Sequence, residues 1–199
     1  MKKLFSILLI LNLSLLNAQE AKIETSKEFQ ENLNKEYANR NESPLTDEDF
    51  KSFKSLDFYP ISDTFIIEAK FIRTANEKSF KMKTTGSRLP EYVKYGELAF
   101  NFNGKDFKLN LYRNIELSKK PGFEDYLFLP FSDLSCGKGS YIGGRYLDMR
   151  IPKGSTMIID FNKAYNPYCA YNHKYSCPIV PLENDLDIEI LAGVKKFHN

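Results

Sequence analysis

The sequence predicts a mainly β protein, an antiparallel β-sandwich or partly closed barrel with one or two N-terminal helices packed on it. From Asp63 onward, apolar side chains recur at every second position, and no helical repeat separates the successive strand candidates, which favours antiparallel pairing. The 16 Phe and 12 Tyr residues provide enough large side chains for one well-filled core. Periodicity alone does not distinguish a sandwich from a barrel.

Residues 1–18 have the pattern of a secretory signal peptide. Lys2 and Lys3 precede an apolar run from Leu4 to Leu16, and Ala18 is the small residue expected before a cleavage site. The run is too short to span a bilayer and no cysteine stands at the cleavage site, so we expect an exported, periplasmic or secreted protein without a stable membrane anchor. Without the two lysines, basic and acidic residues balance, which argues against nucleic acid as a partner.

Residues 19–57 are predicted to form a helical N-terminal segment. Capping boxes begin two helices, Thr25 with Glu28 and Thr46 with Asp49. After the first box, apolar side chains recur at every fourth position, which predicts a helix over about 26–39 with one stripe formed by Phe29, Leu33 and Tyr37. We expect this segment to cover one end of the sheet rather than to serve as a partner-binding arm.

Residues 58–199 are predicted to form a single β-rich domain. Asn103-Gly104 is typical of a type I′ turn and joins two alternating runs, one with Leu98, Phe100 and Phe102 on a face, the other with Phe107, Leu109 and Leu111. Four further short strands are predicted, at Tyr126–Phe131, Arg145–Ile151, Thr156–Phe161 and Asp187–Leu191.

Polar and small residues form an ordered series of motifs from Leu129 to Asn184. The motifs are Leu-Pro-Phe-Ser-Asp at 129–133, Gly-Gly-Arg-Tyr-Leu-Asp at 143–148, Asp-Phe-Asn-x-Ala-Tyr-Asn-Pro at 160–167, Cys-Ala-Tyr at 169–171, Cys-Pro at 177–178 and Glu-Asn at 183–184. This series, with Phe58-Tyr-Pro-Ile upstream, resembles the bacterial and archaeal family known as domain of unknown function 1684. The chain departs from the family pattern at Ile142, Tyr168 and Cys136. The resemblance implies no established reaction, and we predict no cofactor.

Arg145 is the most informative charged residue because it shares a strand face with Leu147, whereas Asp148 points to the opposite face. A buried arginine needs a carboxylate partner, and we expect Asp160 or Glu183 in that role. The alternative is that Arg145 receives an anionic ligand. The preceding Gly143 and Gly144 allow a bulge or close backbone approach.

Amide and carboxylate side chains also collect where the strand ending near Phe161 gives way to a loop. They either build the loop or, with the tyrosines that follow, line a pocket for a small polar or anionic molecule. The predicted ligand-binding residues are Gly143, Gly144, Arg145, Tyr146, Asp148, Asp160, Asn162, Tyr165, Asn166, Tyr171, Glu183 and Asn184. A purely structural role for these motifs is the alternative.

The spacing of Cys169, His173 and Cys177 is compatible with a catalytic zinc site. The neighbouring prolines, the export signal and the family resemblance, in which the two cysteines but not the histidine belong to the motif, favour a disulfide between Cys169 and Cys177. Such a short loop would contribute about 2 to 3 kcal/mol. Cys136 is then left as a free thiol or an alternative partner.

Recognisable catalytic motifs are missing from the sequence, since neither Gly-x-Ser-x-Gly nor His-Glu-x-x-His occurs. A hydrolase remains an alternative, using the metal site above or a pair of carboxylates drawn from Asp148, Asp160 and Glu183. The sequence makes no prediction of oligomeric state.

Overall fold

The computed structural model describes residues 24–198, so the predicted signal peptide lies outside the described residues. Two helices come first, α1 (Ser26–Ala38) and α2 (Asp47–Ser52). Eight strands follow: β1 (Ile66–Arg73), β2 (Phe80–Lys81), β3 (Glu91–Phe102), β4 (Lys105–Asn114), β5 (Tyr126–Asp133), β6 (Arg145–Arg150), β7 (Thr156–Asp160) and β8 (Asp185–Leu186). In this part of the chain, no helix has both the length and the apolar character needed to cross a membrane.

The strands form one sheet that curls into a half-barrel, in the order β6-β5-β4-β3-β1-β7. Strand β2 adds to β3, and β8 pairs in parallel with β5 over two residues. The other named pairings are antiparallel. The structure therefore confirms the predicted mainly β class and, of the two predicted architectures, has the partly closed barrel.

The predicted hairpin joins β3 to β4, and it has the expected turn geometry. Asn103 and Gly104 have φ angles of 51° and 80°, and Phe102 pairs with Lys105 across the turn. Both central residues of a type I′ turn need a positive φ, which Asn and Gly adopt at low cost. The apolar residues predicted to share faces on these two strands are all buried.

Helix α1 begins with the predicted capping box, because Thr25 accepts a hydrogen bond from the Glu28 amide and the Glu28 carboxylate accepts one from the Thr25 amide. Its buried apolar residues, Leu33 and Tyr37, pack with Tyr171 and Val194 of the C-terminal part of the chain. The helix therefore covers the loops that follow β7.

Strand β5 is buried on both faces, which gives the half-barrel two separate apolar layers. Leu127, Leu129 and Phe131 point into the main core, whereas Phe128, on the opposite face, packs in an aromatic cluster with Tyr146. Alternation along the neighbouring strand β6 therefore directs Arg145 toward the core and Tyr146 toward the aromatic cluster.

The predicted strand at Asp187–Leu191 is wrong, because pairing stops at Leu186. The chain leaves the sheet there and its backbone binds other groups: the Ile188 carbonyl accepts from the Leu134 amide, and the Ile190 carbonyl accepts from Arg145. These contacts satisfy backbone groups that a strand ladder would have paired.

Candidate functional site

Arg145 is fully buried, and protein groups bind its two terminal guanidinium nitrogens, whereas its Nε has no hydrogen-bond partner within residues 24–198. Its guanidinium donates to Asp133 Oδ2 at 2.7 Å, to the Ile190 carbonyl at 2.8 Å and to the Ala192 carbonyl. The other oxygen of Asp133 accepts from the backbone amides of Ser135 and Ile190. The pair therefore joins the end of β5 to the C-terminal segment.

The expectation that Asp160 or Glu183 neutralises Arg145 is wrong. Asp160 accepts hydrogen bonds from the Ser26 hydroxyl at 2.7 Å and from the Asn162 amide, and Glu183 is exposed. Asp133 holds the position instead because Phe131 is the register partner of Arg145, which places Asp133 just beyond it on the adjacent strand. The feature of the sequence that could have indicated this partner of Arg145 is the aspartate at the end of the Leu-Pro-Phe-Ser-Asp motif.

At Gly144 the chain lies close to a neighbouring backbone, as we expected from the two glycines that precede Arg145. Its φ is +82°, and a Cβ there would lie 2.6 Å from the Phe131 carbonyl oxygen and from the Val180 side chain. Gly143 lies against the Tyr141 ring. These glycines bring the chain into β6 at the point where Arg145 enters the core.

The three asparagines predicted in the site are fully buried and bind backbone groups at separate places. Asn162 bonds to the amide and carbonyl of Ser62, and Asn166 donates to the Lys195 carbonyl and the Tyr171 hydroxyl. Asn184 bonds to the amide and carbonyl of Asn110 and to the carbonyl of Pro130. The structure does not bring these residues and Arg145 to one cavity.

The predicted disulfide is absent, because Cys136, Cys169 and Cys177 are all free. Cys177 Sγ accepts a hydrogen bond from the Cys169 amide at 3.2 Å, so the second sulfur caps a short turn rather than bonding to the first. The hydrogen bond between the two thiols lowers the pKa of Cys169 to about 6 and raises that of Cys177. Burial raises the pKa of Cys136, which lies beside Asp133.

The zinc alternative needed His173 to join the two thiols. His173 is exposed, and residues 24–198 contain no group of three His, Cys, Asp or Glu side chains placed to hold a metal ion.

On the outer face of β6, Asp148 is the acceptor for two tyrosine hydroxyls. Tyr126 and Tyr165 both donate to Asp148 Oδ1, at 2.7 and 2.6 Å. Tyr126 comes from β5, and Tyr165 is placed by two backbone hydrogen bonds with Tyr146 of β6. Burial, and then the nearby carboxylate, raise the pKa of both phenols, so each stays protonated as a donor at neutral pH.

These residues line a cavity of about 420 Å³, called here the tyrosine cavity. Its aromatic lining consists of Phe29, Tyr92, Tyr126, Phe128, Tyr146, Tyr165, Tyr168 and Tyr175. The charged side chains in its lining are Glu36, Arg88 and Asp148. It contains three of the predicted ligand-binding residues, Tyr146, Asp148 and Tyr165.

Sequence reasoning missed Tyr126, Glu36 and Arg88 as cavity residues. Tyr126 had a usable signal, because it begins a strand that is apolar on both faces and must therefore have a second buried layer. Glu36 and Arg88 lie far apart along the chain and carry no such signal.

Two further cavities hold other predicted residues. One of about 510 Å³ is lined by Tyr171, Cys169 and His173, beside Tyr141. A groove of about 730 Å³ along the start of α1 is lined by Asp148 and Asp160 among others. Asp160 is engaged by Ser26, and Glu183 lines none of these three spaces.

Comparisons with known proteins agree with the resemblance seen in the motifs. The profile of a family described as "Protein of unknown function (DUF1684)" matches residues 51–195. A solution NMR structure of an uncharacterized protein from Haloarcula marismortui is similar to this chain, with 27% identity and a TM-score of 0.67 over 85% of this chain and 91% of that one. No curated protein matches the sequence. The profile match spans well over half of the sequence, and the chain belongs to the DUF1684 family.

Proposed function

We propose that this protein binds a small polar molecule in the tyrosine cavity. The observation that carries the proposal is the convergence of two tyrosine hydroxyls on one oxygen of Asp148 inside that cavity. An exposed aspartate held by two hydrogen bonds has a fixed orientation before any ligand arrives, which lowers the entropy cost of binding.

The composition and size of the cavity support this proposal. A volume of about 420 Å³ falls in the range of small-molecule sites, which combine apolar and aromatic walls with a few oriented polar groups. Tyrosine rather than phenylalanine supplies most of the walls, so polar atoms accompany the rings. The proposed site lies on the opposite face of β6 from Arg145, whose charge is already neutralised by Asp133.

A thermal-shift screen with choline, glucose and inorganic phosphate tests the proposal. We expect at least one compound to stabilise the wild-type protein and to lose its effect in Asp148→Asn. Asp125→Asn is the matched control, because Asp125 is an exposed aspartate that pairs with Arg150 outside the cavity. Equal stabilisation of the wild type and Asp148→Asn would refute the assignment of the site.

We also propose that the protein is exported and that cleavage follows Ala18. The support is the basic, apolar and small-residue order of residues 1–18. Expression of the full chain in a bacterial host, followed by fractionation and N-terminal sequencing, checks this. A cytoplasmic product that begins at Met1 would contradict it.

A further inference from the structure

Four of the six tyrosine hydroxyls in the tyrosine cavity already donate to protein groups. Tyr126 and Tyr165 donate to Asp148, Tyr168 donates to Glu36 at 2.8 Å, and Tyr146 donates to the Pro178 carbonyl. A phenol has one hydroxyl proton, and each of these tyrosines already donates it to a protein group. The phenol oxygens can still accept hydrogen bonds from a ligand. Around Asp148, these hydroxyls therefore favour a ligand that supplies protons or positive charge.

Asp148 has an oxygen to offer such a ligand. Both tyrosines use Oδ1, and no hydrogen bond from within residues 24–198 reaches Oδ2. The side chain is exposed enough for access from the cavity, and the two phenols fix its plane. A carboxylate oriented in this way favours an ammonium group over a neutral hydroxyl, because opposite charges attract whether or not the nitrogen carries a proton.

The charge balance and the rings favour the same ligand class. The cavity contains two carboxylates, Glu36 and Asp148, and one guanidinium, Arg88. Arg88 is exposed and donates to the Ser176 carbonyl, and the three charges together leave the lining with a net negative charge. Aromatic rings attract cations through the negative potential of their faces, and tyrosine rings flank the carboxylate here.

We propose that the ligand of the tyrosine cavity is a small organic cation, an alkylammonium or N-methylated amine whose charged nitrogen lies against Asp148 Oδ2. This inference rests on the proposed function, since it names the ligand class of the same site. The cavity volume exceeds that of a methylated ammonium group alone, so the ligand also carries an uncharged or polar portion.

Isothermal titration of the wild-type protein with choline and with neohexanol at constant ionic strength tests the inference. Neohexanol is the uncharged isostere of choline, with carbon in place of nitrogen, so the comparison isolates the charge. We expect choline to bind about tenfold more tightly, a gain between those expected for an exposed and for a desolvated cation beside an aromatic ring. Because this comparison uses the wild type, it does not depend on the folding of any variant.

Two variants then test whether Asp148 causes the preference for choline over neohexanol. Asp148→Asn keeps an acceptor for both phenols and removes the charge, so we expect it to abolish most of the preference for choline, whereas Asp125→Asn leaves the preference intact. Equal affinity for choline and neohexanol, or binding of inorganic phosphate alone, would overturn the cation inference and keep the proposed binding function. Failure of choline, neohexanol, glucose and inorganic phosphate alike to bind would overturn the proposed function and this inference with it.

Discussion

Arg145→Met should destabilise the protein far more than its size change alone would. The substitution leaves the Asp133 carboxylate in the core without its cation and leaves the Ile190 and Ala192 carbonyls without their donor. Both side chains of the ion pair are fully buried. Removing one partner of a buried pair costs about 3 to 5 kcal/mol, since an uncompensated charge stays in the interior. For a chain of this length, that is a fall in Tm of about 6 to 20 °C.

The matched control is Arg150→Met, in the same strand. Arg150 pairs with Asp125 at the surface, with both side chains more than half exposed, so its loss should cost about 1 kcal/mol or less. Urea unfolding of both variants gives the free energies of unfolding. Adding Asp133→Asn to Arg145→Met removes the orphaned charge, and the double variant should therefore be less destabilised than the two single losses combined. Equal losses from Arg145→Met and Arg150→Met would refute the structural role of Arg145.

Two further predictions concern Gly144 and Cys169. Gly144→Ala should lower the free energy of unfolding by about 2 kcal/mol or more, because the positive φ at this position and a Cβ placed 2.6 Å from the Phe131 carbonyl oxygen are both unfavourable. Gly104→Ala is the control in the same urea assay. Its Cβ would meet open space, so it should show only the smaller cost of the positive φ. Equal effects would contradict this account. An ultraviolet titration of thiolate should show Cys169 ionising near pH 6, and Cys177→Ala, which removes the thiol that lowers this pKa, should move the midpoint upward. Because the folded pKa lies below the ordinary thiol value, the stability that Cys169 contributes is present above that value and is lost as the pH falls through about 6. An unchanged midpoint in Cys177→Ala would show that the thiols do not interact.

Local rules predicted the parts of the fold that depend on neighbouring residues. The Thr25 capping box and the Asn103-Gly104 turn each involve only a few adjacent positions, so the residue types at those positions determine their geometry. Alternation placed Arg145 and Asp148 on opposite faces of β6, and the structure confirms this separation. Because of this separation, Arg145 forms an ion pair in the core, whereas the outer-face residues line the tyrosine cavity.

Sequence patterns did not predict which residues contact each other when they lie far apart along the chain. Arg145 required a carboxylate, but the choice of Asp133 depends on the register of β5 against β6, and two of its acceptors are backbone carbonyls that no side-chain pattern reveals. The spacing of Cys169 and Cys177 gave their separation along the chain but not the direction of their sulfurs. The tyrosine cavity likewise depends on α1 lying beside β5 and β6, which brings Glu36 close to residues more than a hundred positions away.

Amide chemical-shift mapping of the wild-type protein during a choline titration tests most directly whether the outer face of β6 is the binding face. We expect the largest shifts at Tyr126, Asp148 and Tyr165, with little change at Asp133 and Arg145. Shifts centred on Asp133 and Arg145, with the tyrosine cavity unaffected, would contradict it.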